Sequence, residues 1–511
     1  MIFDLISDGW SPSSHQMPSR RRRLSANGED DSSTGGGGDG GERRRFARDN
    51  QYSYHHFAVF GITFMSFALI HAARKTLSTV KGSLISVWTH NSTTLPPLFP
   101  SQEAAENFLA LLDFGFLFAY AIGLYIGGIL GDRYSPRIVL SIGVWLSATV
   151  IFFFGYVTEV NSFYHSSVYF TLWVSGGLFQ SVAWPTEICV MGNWFGRGSR
   201  GLIMGVWSGC ASVGNIIGTL ITSGVIYAGY EYAFAVNSII LFLFGFVIFF
   251  CLKVHPREIG LAEPWEWESE PNDVIEESTT SRPIGFCRAW KLPGVIPYSF
   301  AYACLKMVTY GFFFWLPYYL SSNFGWMEKD AGTLSTFFDV GGIIAAVVGG
   351  AISDRLSSRT PVVVGMLVIA SFCLGVYSIV PGEFFINALM LTIVGFFVAG
   401  PANMISSSVS ADLGKARELR GNTEALSTVT GIVDGTGSVG AAIGMLAIPA
   451  IQRHIGWNAV FYGFIVMVIC TTGCLLPTLY REWKDYRKST LGIDPEEMED
   501  EEAERQGLLD N

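Results

Sequence analysis

Twelve long apolar runs set the terms on which this chain can fold. They cover residues 55–78, 104–130, 138–158, 166–191, 201–223, 231–252, 294–320, 332–352, 361–380, 385–409, 423–449 and 456–479. A helix that crosses a bilayer needs about 20 predominantly apolar residues. In hydrocarbon every backbone N–H and C=O must find a partner inside the protein, so an apolar run of this length is read as a helix. The expected fold is therefore an all-α integral membrane protein with twelve transmembrane helices. Composition agrees: only 15% of the residues are charged, against about 25% in soluble domains. Glycine (57 residues) and aromatic residues (14%) suit closely packed spans with aromatic belts at their ends.

A short charged loop appears twice among these runs. Gly127-Gly-Ile-Leu-Gly-Asp132-Arg133-Tyr-Ser-Pro-Arg137 follows the second run, and Gly349-Gly-Ala-Ile-Ser-Asp354-Arg355-Leu-Ser-Ser-Arg359 follows the eighth. Both glycines, the Asp-Arg pair, the serine and the final arginine are the same. The repeat predicts two pseudo-symmetric six-helix halves, 55–252 and 294–480. A linker at 253–293 joins them, with an N-terminal tail at 1–54 and an acidic C-terminal tail at 481–511. Asp132, Arg133 and Arg137, with Asp354, Arg355 and Arg359, are expected to form a latch between the halves, the acids meeting nearby arginines or helix N-termini.

Basic residues give the expected orientation. Arg133/Arg137, Arg197/Arg200, Arg355/Arg359 and Lys415/Arg417/Arg420 fall in loops on one side, and the linker and C-terminal tail add more. The opposite loops carry little beyond Lys81, Lys329 and Arg453. By the positive-inside rule both termini face the cytosol. The sequon Asn91-Ser-Thr93 then falls on the other side, where glycosylation of Asn91 is expected. Residues 1–50 read as a disordered cytosolic tail, Gly/Ser-rich at Ser32–Gly41 between arginine runs. They hold no cleavable apolar segment, so the first span is expected to double as the targeting signal. A net charge of −10, concentrated at Glu258–Glu277 and Asp494–Glu504, gives no reason to expect a nucleic-acid partner. The eight cysteines lie mostly within apolar runs and match neither a disulfide framework nor a zinc spacing. Gly435-Thr-Gly437-Ser-Val-Gly440 fits the dinucleotide fingerprint as a string, but no strand precedes it and it lies inside a span. Like Gly123/Gly127/Gly131, Gly201/Gly205/Gly209, Gly214/Gly218 and Gly440/Gly444, it reads as helix packing.

Each ionisable group inside a span costs about 2.5–3.5 kcal/mol on insertion scales and needs a reason. The candidates are Arg74/Lys75, Asp113, Glu187, Lys306, Asp339 and Asp434. Arg74 in the first span and Lys306 in the seventh occupy equivalent helices of the repeat and would face each other across a central cavity. A guanidinium fork and an ammonium point charge together suit a phosphate dianion. Two bland readings stand beside this one: Arg74 as an interfacial anchor, and Lys306 in an internal ion pair with Asp339. Asp113 and Asp339 lie on similar helix faces a turn apart, as proton sites or as charge balance for the basic residues. Glu187 and Asp434 read as structural, bonded to neighbouring helices. Tyr120, Trp184 and Tyr310 are candidate cavity-lining aromatics.

Twelve runs in two halves, with G-x-x-x-D-R-x-x-x-R loops after the second and eighth, resemble the major facilitator superfamily. His71-Ala-Ala-Arg74-Lys75, Gly177-x-x-Gln180-x-x-x-Trp184-Pro185, Asn193-Trp-Phe-Gly with Arg200-Gly201, and Trp207-Ser-x-x-Ala-Ser-Val-Gly214-Asn215 resemble its organophosphate:phosphate antiporter branch. Lys306-x-x-x-Tyr310 with Trp315-Leu-Pro317, and Thr430-Gly-Ile-Val-Asp434-Gly-Thr-Gly-Ser-Val-Gly440, are similar to the eukaryotic sugar-phosphate exchangers. The resemblance runs from about residue 50 to 485. It implies exchange of a phosphorylated metabolite for inorganic phosphate across an endomembrane, the endoplasmic reticulum in the first place. It also implies substrate binding by Arg74, with Lys75, Lys306, Tyr120, Trp184 and Tyr310 around it. Two departures stand out. Thr309 takes the place of a second phosphate-binding arginine, and Ala211 that of a histidine; Lys306, one turn from Thr309, can replace the lost charge.

The expected partners are a small anionic metabolite, inorganic phosphate and the bilayer, with no cofactor and no metal. An enzyme is not expected, since no nucleophile–base pair, metal cluster or P-loop is visible. Glu504-Arg-Gln-Gly-Leu508-Leu509 fits an acidic dileucine sorting signal, read by an adaptor and pointing to lysosomes. The competing functional readings are a proton-coupled or facilitative carrier of another organic anion, suggested by Asp113 and Asp339, and a non-transporting membrane scaffold or sensor.

Overall fold

The computed structural model describes residues 53–90, 96–195, 200–261, 285–356, 359–413 and 425–490. Among these residues the structure is helical and contains no strand. The spans of the first half are α1 (Tyr54–Thr79), α2 (Gln102–Arg133), α3 (Pro136–Phe152, continued through a π turn at Phe153–Val157), α4 (Ser166–Gln180 with Ala183–Trp194), α5 (Arg200–Ser208 with Cys210–Val225) and α6 (Tyr230–Cys251). Those of the second are α7 (Val295–Phe324), α8 (Glu328–Leu356), α9 (Thr360–Tyr377), α10 (Phe384–Met404), α11 (Ala425–His454) and α12 (Trp457–Thr490). Among the described residues, 11 helices are long and apolar enough to cross a membrane. The twelfth span is α4, whose two pieces are each too short alone. Its break has a local cause: Pro185 offers no N–H to the Ser181 carbonyl one turn back, and the Ser181 hydroxyl bonds Leu178 O at 2.6 Å. The last helix runs to Thr490, further than the apolar run that predicted it, because the polar stretch after residue 480 continues the helix.

Backbone contacts repeat between the halves. A Cβ on Gly214 or Gly218 of α5 would come within 2.1 Å of Ala68 O or 2.4 Å of Ala72 O in α1. A Cβ on Gly440 or Gly444 of α11 would come within 2.2 Å of Ala303 O or 2.4 Å of Met307 Cγ in α7. Glycine pairs four apart thus let α5 meet α1, and α11 meet α7, at backbone distance. These contacts align Ala68/Ala72 with Ala303/Met307. In that register Thr309 stands where Arg74 stands, and Lys306 where His71 stands.

The halves meet at both ends of the bundle. Toward the end bearing the Asp-Arg loops (the basic end), Gly205 of α5 approaches Ala346 O of α8 and Gly431 of α11 approaches Leu124 O of α2. At the opposite end Lys75 Nζ and Ser78 Oγ donate to Phe313 O, at 2.6 and 2.7 Å. There the Glu328 carboxylate accepts from Ser83 N and Oγ at 2.9 and 2.6 Å. Arg453 donates to Glu103 and Asn107, each at 2.7 Å.

Candidate functional site

Between these two closures lies a cavity of about 80 Å³. His71 and Lys75 of α1, Tyr120 of α2 and Trp184 of α4 line it from one half; Lys306 and Tyr310 of α7, Asp339 of α8, Asn403 of α10 and Asp434 of α11 line it from the other. The Thr309 and Ala211 positions are also on its wall.

Arg74 lies immediately behind this wall and is fully buried. Its Nε donates to Gln180 Oε1 at 3.0 Å and its Nη1 to Tyr310 OH at 3.1 Å. The guanidinium carbon stands 4.5 Å from the Tyr120 ring centre and 5.0 Å from that of Phe116, a double cation–π contact. Arg74 Nη2 has no hydrogen-bond partner, and among the described residues no carboxylate pairs with this arginine. The interfacial-anchor reading fails on these contacts.

Lys306 is also buried but differently held. Its Nζ lies 2.7 Å from Asp434 Oδ1 and 2.8 Å from Ser438 Oγ. The predicted pairing with Asp339 is thus replaced by one with Asp434, which sits on the glycine-packed neighbour α11. Lys306 Nζ is 5.5 Å from the Tyr120 ring centre and 5.1 Å from that of Tyr310, so both cations face Tyr120. Lys75 turns away from Arg74 to the Phe313 carbonyl of α7. Trp184 Nε1 crosses to Ser406 O of α10 at 3.3 Å.

Asp339 belongs to a polar chain across the halves. It accepts from Asn215 Nδ2 at 2.7 Å, and Asn215 Oδ1 lies 3.0 Å from His71 Nδ1. A carboxylate fixes the Asn215 amide as donor toward Asp339, so Oδ1 accepts and His71 Nδ1 carries the hydrogen. Asp113 is not the counterpart of Asp339. It lies outside the cavity, 2.5 Å from Lys81 Nζ, with both side chains buried. Lys81, read as a loop charge, stands 3.7 Å over the Trp315 ring of α7. Glu187 stands beside Ser66 of α1, and neither of its carboxylate oxygens meets the geometry of a hydrogen bond among the described residues.

The predicted latch is only partly described. Arg133 is exposed. Arg137 is half-buried with no partner for Nε. Arg359 Nε meets Asp412 Oδ2 at 2.5 Å and its Nη1 meets Ser353 Oγ at 3.0 Å. Both of these bonds stay within the second half, Asp412 lying in the short helix Ser410–Leu413 that follows α10. The side chains of Asp132, Asp354 and Arg355 lie outside the described residues, as do Asn91, Glu504, Leu508 and Leu509.

The structure adds residues to the site that charge counting passes over. Gln180 orients Arg74, Asn215 joins His71 to Asp339, and Asn403 presents an Nδ2 without an acceptor. Gln180 Nε2 also lacks one. The signal for His71, Gln180 and Asn215 was their place beside the quoted motif residues; Asn403 had none.

Helices in two glycine-packed halves around a buried, cation-bearing cavity define a membrane carrier of alternating-access type. A sequence profile of the Major Facilitator Superfamily matches residues 77–423, and the chain belongs to that superfamily. Within it the chain is 50% identical over 464 residues to "Sugar phosphate exchanger 3" of Mus musculus, covering 84% of this chain and 94% of that protein. The Homo sapiens protein of the same name is 49% identical over 466 residues, covering 85% and 94%. "Putative glycerol-3-phosphate transporter 5" of Arabidopsis thaliana is 37% identical over 445 residues, covering 82% and 89%.

Proposed function

We propose that the chain is a secondary transporter that exchanges a phosphorylated metabolite, of sugar-phosphate or glycerol-phosphate type, for inorganic phosphate by alternating access. The observation that carries this reading is Arg74: a fully buried guanidinium with an unpartnered Nη2 and, among the described residues, no carboxylate, bonded to an amide whose own Nε2 is unpartnered. A buried donor without an acceptor costs about 1–3 kcal/mol. An oxyanion supplies both the acceptor and the countercharge, and phosphate matches the guanidinium fork. Lys306 and Asn403 offer further donors from the other half. The names of the relatives point to the same substrate class.

In this reading the basic end faces the cytosol, and both termini with it. The endoplasmic reticulum is the first compartment to examine. The dileucine run ending at Leu509 would divert the protein toward lysosomes through an adaptor.

The test is counterflow in proteoliposomes loaded with phosphate. Labelled sugar phosphate or glycerol phosphate should enter faster when phosphate is inside. Arg74→Ala should weaken apparent substrate affinity by about 2–5 kcal/mol, the range for truncating one member of a buried hydrogen-bonded charge pair. Uptake indifferent to internal phosphate, or unchanged in that variant, would defeat the proposal.

A further inference from the structure

Glu187 takes no part in the site described above. It lies one turn beyond Trp184, in the second piece of α4, and is fully buried. Neither carboxylate oxygen has a hydrogen-bond partner, nor has the Ser66 hydroxyl of α1 that acts on it. From α5 the group facing it is the Cys210 thiol. α2, α3 and α11 also pack against this piece of α4, and among the described residues no lysine, arginine or histidine on them acts on Glu187. The acid of α11, Asp434, is held by Lys306.

An ionised carboxylate placed this way would be an unpaired charge in a low-dielectric interior, at a cost of several kcal/mol. Protonated, the same group is a neutral donor beside a hydroxyl able to accept. The break in α4 supplies the means of changing its surroundings. Ser181 and Val182 separate the piece ending at Gln180, which holds Arg74, from the piece containing Trp184, which bridges to α10.

We propose that Glu187 is a proton-binding site of the first half. It carries a proton while α4 is packed against α1 and α5. It releases that proton to water when the second piece of α4 swings out, and repacking requires another to be taken up. Exchange thereby becomes coupled to pH through a residue that does not touch the transported anion.

Two measurements on the full chain in lipid test this. The first is infrared spectroscopy at neutral pH, which needs no substrate. The wild type should show the carbonyl stretch of a neutral carboxylic acid, lost in Glu187→Gln, kept in Glu187→Asp and shifted in Ser66→Ala. A spectrum that ignores all three substitutions overturns the assignment, whatever the protein transports. The second is phosphate–phosphate exchange in proteoliposomes at varied pH. Wild-type exchange should change with pH by up to about tenfold per unit, the limit for one titrating proton. Glu187→Gln, a permanent stand-in for the neutral acid, should still exchange but with a shallower profile, set by the titration of phosphate itself. A Gln variant that keeps the wild-type pH response overturns the coupling.

Discussion

Arg74 of α1 and Lys306 of α7 look onto the same Tyr120 ring from opposite halves, but among the described residues only Lys306 has a carboxylate. Lys306 with Asp434 forms a buried pair of zero net charge, fixed further by Ser438. Arg74 is held by an amide, a phenol and two aromatic rings, all neutral. The net positive charge of this part of the cavity therefore resides in the first half. The backbone packing is nevertheless the same in both, with glycines four apart on α5 and α11 pressed to α1 and α7. Symmetry is kept where helices touch and lost where the site is made: the register equivalent of Arg74 is Thr309. Beside Tyr120, one half supplies the charge that an anion needs, and the other supplies a neutral, well-fixed ion pair against which it can be oriented.

That contrast is most severely tested by breaking the Lys306–Asp434 pair. Removing one partner of a buried ion pair typically costs about 3–5 kcal/mol, because the remaining charge is stranded. Asp434→Ala and Lys306→Ala should each lower stability on that scale, measured by thermal unfolding of the purified protein. The double variant should recover most of the loss. If the pair serves as a wall, the double variant should also retain phosphate exchange; if Lys306 itself binds the anion, stability should return without exchange. No such rescue is expected for Arg74, which has no acid to strand.

The glycine contacts sharpen the comparison at a smaller scale. Overpacking a filled interface costs about 1–3 kcal/mol. Gly214→Ala and Gly440→Ala both drive a methyl into a backbone carbonyl, at 2.1 and 2.2 Å, and should be about equally destabilising. The second pair should differ. Gly218→Ala meets Ala72 O, which is fixed by its helix, whereas Gly444→Ala meets the Met307 side chain, which can move aside. Unfolding temperatures should therefore rank Gly218→Ala below Gly444→Ala. Equal values would mean that the two halves are packed alike at the second contact as well.

These two scales also explain what could be read from the sequence. Apolar run length and glycine spacing are backbone properties, and they predicted the spans and close helix packing at the glycines. α4 is broken within its run: Pro185 lies inside it, and run length takes no account of a missing N–H. The site depends on where side chains end, which helix rotation decides and a one-dimensional repeat does not. Asp113 and Asp339, four residues out of step relative to their loops, could not be told apart by spacing. One reaches Lys81 and the other Asn215. Asp434 was read as structural because nothing in the sequence showed that it lies beside Lys306. Gln180 and Asn403 are uncharged, so a search for costly intramembrane charge misses them, although an amide can orient an arginine or offer a donor at a much lower burial cost.

A last effect, on binding rather than on stability, concerns the hydrogen bond that joins Arg74 to the second half among the described residues, from Nη1 to Tyr310 OH. Tyr310→Phe removes the acceptor but leaves the ring that faces Lys306. Arg74 keeps Gln180 and both cation–π contacts, so its position should change little. A hydrogen bond from a charged group is worth about 1.5–3 kcal/mol, or roughly ten- to 150-fold in an equilibrium constant. Which equilibrium shifts is the informative part. If the bond mainly closes the halves around the cavity, phosphate and organophosphate should lose apparent affinity by the same factor, since both require closure. If Tyr310 also orients the organic portion of the substrate, counterflow should show a larger loss for the organophosphate than for phosphate. Equal factors would assign α7 the role of a wall that closes on the charge held by α1; unequal factors would give that wall a part in choosing the metabolite.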